Sequence, residues 1–310
     1  MRIKMERMLR EAQLSITNAT EEIDGQAKFI EDSWIRDSGG GGHSRVLQGG
    51  AVWEKAGVNL SVVHGTMPVE ALRAATERGV SRGKQDQVPF FACGLSCVMH
   101  PRNPWWFGAS TRGVNCGTVS WDISPSIICS FLPAPGGGTD ITPVYVDEED
   151  MKHFHGTYKD VCDRHDPEYY AKFKKWADDY FLIQHRGERR GLGGIFFDDL
   201  NDRDPEEIFE FCKDAVNHVV PAYGPIVEKH KHDLFTEEQK EWQQIRRGRY
   251  AEFNLVYDRG TIFGLKTNGR TESILMSLPE TAMWLYDHHP APGTPEAEFL
   301  DAAKNPREWV

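Results

Sequence analysis

The sequence predicts an α+β protein built around an antiparallel β-sheet, and three observations carry that expectation. Strand-like runs come in groups rather than alternating one by one with helices. Hairpin-length turns join several of them, as antiparallel pairing allows. The glycine-rich turn Gly191–Gly194 follows a helical pattern and precedes a strand, the reverse of a dinucleotide-binding unit. A nucleotide site is not expected there; the glycines read as a tight turn with close backbone approach.

In chain order, residues 1–37 place Met5, Met8, Leu9 and Ala12, then Ala27, Phe29, Ile30 and Trp34, at helical spacing, predicting one or two helices that the Gly39–Gly42 run breaks. Alternating stretches at Ser44–Leu47, Ala51–Lys55 and Val58–His64 predict antiparallel strands. Pro68–Arg78 reads as a helix, Pro89–His100 as a buried strand, and residues 104–138 as irregular. Helices follow from Asp147 to about Cys162 and from Asp166 to about Ile183, then a strand at Gly193–Asp198. At least one of Asp198 and Asp199 is expected to cap the next helix. Helical patterns fill Pro205–Lys231 and Thr236–Arg246; strands are expected at Tyr250–Asp258 and Thr261–Lys266, then helices at Pro279–Asp287 and Pro295–Lys304. No repeat or long linker divides the chain, so residues 1–310 are expected to form one domain with a helical N-terminal segment.

Composition narrows the function. With 36 Lys+Arg against 47 Asp+Glu the net charge is −11, which argues against nucleic acid and anionic membrane surfaces as partners. No run approaches the roughly 20 apolar residues of a membrane span. The six cysteines form no C-x-x-C and read as reduced thiols in a cytoplasmic protein. No phosphate-binding loop of the ATP-dependent type and no G-x-S-x-G nucleophile elbow occur, which leaves a hydrolase built on His185 and Asp258 without support.

His153 and His155 are two residues apart on a predicted helix, so one faces the core and the other solvent, and they form no two-histidine metal face. Arg186, Arg189 and Arg190, then Arg246, Arg247 and Arg249, then Arg259 and Arg270 are bunched for an acidic chain. Most should pair with acids such as Glu188, Glu241 and Glu252; the remainder suit a small substrate that carries carboxylates. Read as a strand, Glu252–Asp258 places Phe253, Leu255 and Tyr257 on one face and Glu252, Asn254, Val256 and Asp258 on a polar, pocket-lining one.

The run Lys174–Phe181 continuing through His185–Leu200 closely resembles the signature of oxygen-dependent coproporphyrinogen III oxidases. Further stretches similar to that family are Val62–Gly65, His100–Pro104, Gly136–Pro143, Arg246–Leu265 and Arg270–Pro279, so the resemblance covers nearly the whole chain from about residue 20. Ala177 replaces the family's usual cysteine. The resemblance implies a large antiparallel sheet flanked on both sides by helices, a homodimer, and oxidative decarboxylation of two propionates of coproporphyrinogen III to vinyl groups, in haem biosynthesis. Dioxygen accepts the electrons, and carbon dioxide and hydrogen peroxide leave.

The same resemblance implies that Asp258 binds the pyrrole N–H groups and takes a pyrrole proton, with Arg259 beside it. Arg259 and Arg270, with Asn268 and Gly269, would hold carboxylates; Ser96 and Asn115 would contact substrate. Some family members are described with metal-ligating histidines at positions matching His100, His155 and His185. An electron-rich reduced pyrrole reacts with dioxygen unaided, so no cofactor is expected to be required. Residues 105–135 depart from the family pattern: its proton-donor histidine falls on Gly113 and a propionate-binding arginine on Gly117. A local shift of reading frame restored before Gly136 would produce such a stretch, and transcript sequencing tests it. The departure also raises an alternative function, a non-catalytic relative that binds tetrapyrroles.

Overall fold

The computed structural model describes residues 1–68, 87–104, 109–110, 118–121, 135–266 and 269–310. Helix α1 (Arg2–Asp24) buries Met5, Met8, Leu9, Ala12 and Ile16 along one stripe, as their spacing predicts. It ends at Gly25, whose left-handed φ of 72° lets its N–H reach Glu21. The segment beyond is not a second helix. Ile30–Ile35 forms β1, an edge strand paired antiparallel to β2 (Gly40–Gln48), so the apparent helical spacing of Ala27 to Trp34 is overridden by cross-strand pairing.

Strand β3 (Trp53–Pro68) joins the two runs expected at Ala51–Lys55 and Val58–His64 into one, with an irregularity in register between Trp53 and Lys55. It pairs with β4 (Gln87–Pro101), and β6 (Thr118–Trp121) completes a five-stranded antiparallel sheet in the order β1-β2-β3-β4-β6. The helix expected at Pro68–Arg78 lies outside the described residues apart from its first. Strand β5 (Ala109–Ser110) pairs with β7 (Gly137–Ile141), and β7 with β10 (Gly194–Phe197), in a second sheet.

Asp147 caps α2 (Glu148–His165) by accepting from the N–H groups of Glu149 and Asp150. Helix α3 (Tyr169–Tyr180) stops three residues short of the expected Ile183, because Leu182–Ile183 (β8) pairs with Glu188–Arg189 (β9). Asp204, not Asp198 or Asp199, caps α4 (Pro205–Asn217). The expected Pro205–Lys231 helix breaks at His218, where α5 (Val219–His230) begins.

The largest correction concerns residues 250–266. Thr236 and Gln239 close a capping box, and α6 runs unbroken through Glu237–Val256, followed by α7 (Arg259–Lys266) in place of a hairpin. The buried stripe Trp242, Ile245, Arg246, Arg249, Tyr250 and Phe253 has helical period, but its arginines count as polar in a sequence read for hydrophobicity. On the helix Leu255 and Val256 are exposed while Phe253 and Asn254 are buried, so the proposed strand faces do not exist. A short α8 (Thr271–Leu275) follows. Pro279–Asp287 is irregular rather than helical: it lies along α6, with the Met283 N–H donated to the Gln244 carbonyl at 2.9 Å. Helix α9 (Pro295–Lys304) forms as expected.

The sheet thus has two unlike faces. Ala56, Val58 and Leu60 of β3 and Cys93, Leu95 and Cys97 of β4 enter the main core, against which α1 packs. On the opposite face the segment 270–278 lies over β2 and β3: Ser273 Oγ is 2.7 Å from Ser44 Oγ, and the Leu278 carbonyl accepts from Lys55 Nζ at 2.9 Å. Helices contact both faces, as expected, but the second only in part.

Candidate active site

Period-two geometry explains what that second face presents. The register aligns Asp32, Ser44, Asn59 and Ser96 in one row across four strands, and Trp34, Gly42, Ser61 and Gly94 in the next. Ser44 donates to Asn59 Oδ1 at 2.9 Å and Asn59 Nδ2 to Ser61 Oγ at 3.1 Å, so the row is internally bonded. Asn59, Ser61, Gly94 and Ser96 are all half-buried. The Trp34 ring lies so close to Gly42 that a Cβ there would sit 2.4 Å from it. The result is a flat strip of small and hydroxylic groups beside an aromatic ring.

Two charged elements flank the chain above it. Arg270 precedes α8, donates to Ser273 Oγ at 3.2 Å and forms an ion pair with Asp32. Asp258 lies in the turn before α7 and is 3% exposed. Its Oδ1 accepts from the Tyr180 hydroxyl at 3.0 Å and its Oδ2 from the Thr261 N–H. Arg259 is exposed, with Nη1 3.8 Å from Asp198 and its guanidinium 5.0 Å from the Tyr180 ring centroid. In the chain, Asp258 and Arg270 stand on either side of α7. A buried acceptor and two guanidinium groups suit a ligand that carries N–H donors and carboxylates.

Among the expected site residues, Ser96 lies on this face and Arg270 reaches it through Asp32 and Ser273. Asp258 and Arg259 instead sit at the start of α7 against Tyr180 and Asp198, and Gly269 just before Arg270. Asn115 and Asn268 lie outside the described residues, as do Gly113 and Gly117. The Gly269 N–H donates to the Gly264 carbonyl at 2.7 Å, folding the chain back onto α7.

The three histidines do not assemble. His155 is fully buried, 3.0 Å from the Tyr170 hydroxyl through Nδ1 and 3.2 Å from the Leu192 carbonyl through Nε2. His100 lies 2.9 Å from the Ser277 carbonyl, edge-on to Tyr250. Burial, aided for His100 by the charge of Arg247, pushes both rings down to about 3, so both are neutral in the folded protein. His185 is exposed and contacts the Tyr257 hydroxyl at 2.7 Å and Glu252 at 3.2 Å. Among the described residues the one His/Cys/Asp/Glu group with ligand atoms within 4.8 Å of one another is Asp147, Asp150 and His230. The expected metal set His100, His155 and His185 does not come together among the described residues. His153 and His155 do divide between solvent and core as their spacing predicts.

Most bunched arginines are structural, as expected, with the expected acids Glu188 and Glu252 among their partners and with Asp140 and Glu54 added by folding. Arg190 pairs with Asp140 and Arg247 with Glu54, while Arg246 takes Glu188 and Arg186 takes Glu252. The glycine turn behaves as predicted: a Cβ on Gly191 would meet the Ile141 carbonyl at 2.4 Å.

Sequence reasoning missed Asn59, Ser61 and Tyr180. For the first two the signal was present, since the alternation at Val58–His64 that predicts a strand also separates Asn59 and Ser61 from Val58, Leu60 and Val62. Tyr180 had no such signal, because its partner Asp258 is 78 residues away.

Together these elements define an α+β protein built on an antiparallel sheet with one polar face. The family model described as coproporphyrinogen III oxidase matches residues 4–309, and the chain belongs to that family. It is 56% identical over 313 residues to the oxygen-dependent coproporphyrinogen-III oxidase, chloroplastic, of Glycine max, covering 100% of this chain and 80% of that protein. It is 57% identical over 314 residues to coproporphyrinogen-III oxidase 1, chloroplastic, of Arabidopsis thaliana, covering 100% and 79%. The mitochondrial oxygen-dependent enzyme of Homo sapiens is 51% identical over 312 residues, covering 100% and 67%.

Proposed function

We propose that this protein is an oxygen-dependent coproporphyrinogen III oxidase that binds its substrate over the polar sheet face. The carrying observation is the buried Asp258 carboxylate beside Arg259, one helix away from Arg270, in a chain that matches the family from end to end. Asp258 accepts the central pyrrole N–H groups and takes a proton as each propionate is oxidised. Arg259 and Arg270 fix propionate carboxylates, Arg270 held in place by Asp32. Ser96 and Asn115 contact the substrate, and the Asn268–Gly269 backbone helps to hold a carboxylate. For each propionate, one carbon dioxide leaves, one vinyl group forms, and one dioxygen is reduced to hydrogen peroxide. The two electrons come from the propionate itself, as its β C–H bond and its bond to the carboxylate break, and the electron-rich pyrrole relays them to dioxygen, so no resident redox cofactor is needed.

The non-catalytic alternative gains no support from the relatives described above, which are all named as oxidases. A homodimer follows from the family resemblance, and light scattering tests it. The cytoplasm is the compartment that the absence of any C-x-x-C and of a disulfide framework in the sequence supports, whereas the relatives' names favour an organelle; microscopy of the tagged protein decides between them. None of the described helices is long and apolar enough to cross a membrane.

The deciding experiment is aerobic turnover of coproporphyrinogen III by chelator-treated protein, with an anaerobic control and the Asp258→Asn variant. Oxygen-dependent protoporphyrinogen formation, lost in the variant, is the expected result. Tight substrate binding without product would instead favour the non-catalytic relative.

A further inference from the structure

One side chain touches both members of the Asp258–Arg259 pair. Tyr180 closes α3, and its ring lies flat on Phe196, with centroids 4.1 Å apart and planes 12° apart. Phe181 and Phe253 pack edge-on against it at 5.1 and 5.7 Å, so the ring is held in one orientation. From that seat its hydroxyl donates to Asp258 Oδ1 at 3.0 Å and accepts the Arg259 N–H at 3.4 Å. The Arg259 guanidinium rests 5.0 Å from the centroid of the same ring.

We propose that Tyr180 is a positioning residue for the oxidase reaction: its hydroxyl holds and aims the Asp258 carboxylate, and its ring seats the Arg259 guanidinium. This rests on the reading that Asp258 and Arg259 meet the substrate. A phenolic O–H bonded to a carboxylate favours the charged form and lowers the acid's pKa. Asp258 is almost wholly buried, where desolvation pushes the other way, so the donor opposes the loss of the ionised base that accepts pyrrole N–H groups. The ring acts separately. A guanidinium spread over an aromatic face keeps its edge N–H groups free to fork onto a carboxylate.

The two parts are tested separately. Tyr180→Phe keeps the stack on Phe196 and removes only the hydroxyl, so the acid limb of kcat/KM against pH should move up. Its alkaline plateau should stay within about threefold of the starting protein. Replacing Tyr180 with 3,5-difluorotyrosine, a stronger donor of the same shape, should move the limb down, and it decides the matter alone if Tyr180→Phe does not fold. An unmoved limb in either protein, or a uniform loss at all pH values, overturns the role of the hydroxyl. Tyr180→Leu should raise KM for coproporphyrinogen III several-fold beyond Tyr180→Phe, and equal KM values overturn the role of the ring. Asp258→Asn serves as the reference. If it turns over normally, the underlying site reading fails; if it is inactive while the Tyr180 variants keep the original pH profile, only the present inference fails.

Discussion

Arg190 and Asp140 form a two-pronged ion pair in the interior, Nε to Oδ2 at 2.9 Å and Nη2 to Oδ1 at 2.6 Å, with both side chains at most 1% exposed. Arg190 also donates to Asn254 at 2.8 Å, and the rings of Phe181, Tyr250 and Phe253 surround it within 4.9 Å. The pair ties β7 of the second sheet to α6, the helix that ends just before Asp258. Truncating one partner leaves the other charge buried, which costs far more than the pair's net worth. Arg190→Ala should therefore lose about 3–5 kcal/mol of stability by urea denaturation. Arg190→Lys should recover only part, since an ammonium cannot make the planar fork.

Glu54 does the same for β3. Burial alone would raise its carboxyl, but the hydrogen bond and charge of Arg247, then Lys240 and the Thr281 hydroxyl, outweigh that and hold it down to about 2. A depressed acid stabilises the fold above its unfolded value, here 4.5, and that contribution disappears as pH falls through the folded value. It amounts to about 3 kcal/mol at neutral pH. Between pH 4.5 and about 2 the unaltered protein should lose stability more steeply than Glu54→Gln, as read from denaturation midpoints.

These pairs also explain what the sequence could and could not convey. Period-two runs around Val58 and Phe91 and the apolar stripe of α1 declare themselves locally, so the antiparallel sheet and its covering helix are legible. Residues 250–256 mislead because the winning stripe includes Arg246 and Arg249, buried only through acids such as Glu188 that are distant in sequence. Asp258 and Arg259 stand out through the family resemblance, yet the side chain that holds them, Tyr180, is joined to them by folding alone. The histidine set fails for a related reason: resemblance supplies residue types, whereas His155 and His100 are already occupied by Tyr170, Leu192 and Ser277.

His230 bridges Asp150 at 2.8 Å and Asp233 at 2.6 Å, linking the end of α5 to the start of α2. The Asp150 hydrogen bond raises its pKa above 6.5 despite burial; Asp233 adds to the rise and Lys229 subtracts. A raised histidine contributes stability that is complete below its unfolded pKa and is lost as pH climbs through the folded one. His230→Gln should therefore be less stable than the parent at pH 6 and converge with it in alkaline buffer, as thermal melts across that range would show. A difference that stays constant with pH would mean that the ring acts by packing alone.

Gly194 and Gly187 both adopt positive φ, at 153° and 63°, but only one is crowded. A Cβ on Gly194 would sit 1.9 Å from the Thr139 carbonyl inside the β7–β10 ladder, whereas one on Gly187 meets nothing within 4 Å. Gly187→Ala should cost about 1 kcal/mol from backbone strain alone. Gly194→Ala must also part the strands, costing about 3 kcal/mol or more and lowering soluble yield.

Arg270 is the residue whose loss should separate binding from chemistry. Asp32 and Ser273 fix its guanidinium at the edge of the polar sheet face, and Ser44 couples Ser273 to the row that contains Ser96. A charge that fixes a propionate without touching the reacting atoms acts on substrate and transition state alike, so its removal raises KM and leaves kcat nearly unchanged. Arg270→Ala should raise KM for coproporphyrinogen III by about 10- to 100-fold, the worth of one charge-assisted carboxylate contact. Asp32→Ala should raise it less, because the guanidinium survives and loses only its tether. Steady-state kinetics on the two variants would settle the assignment: a large fall in kcat for Arg270→Ala would move that arginine from binding into the chemical step.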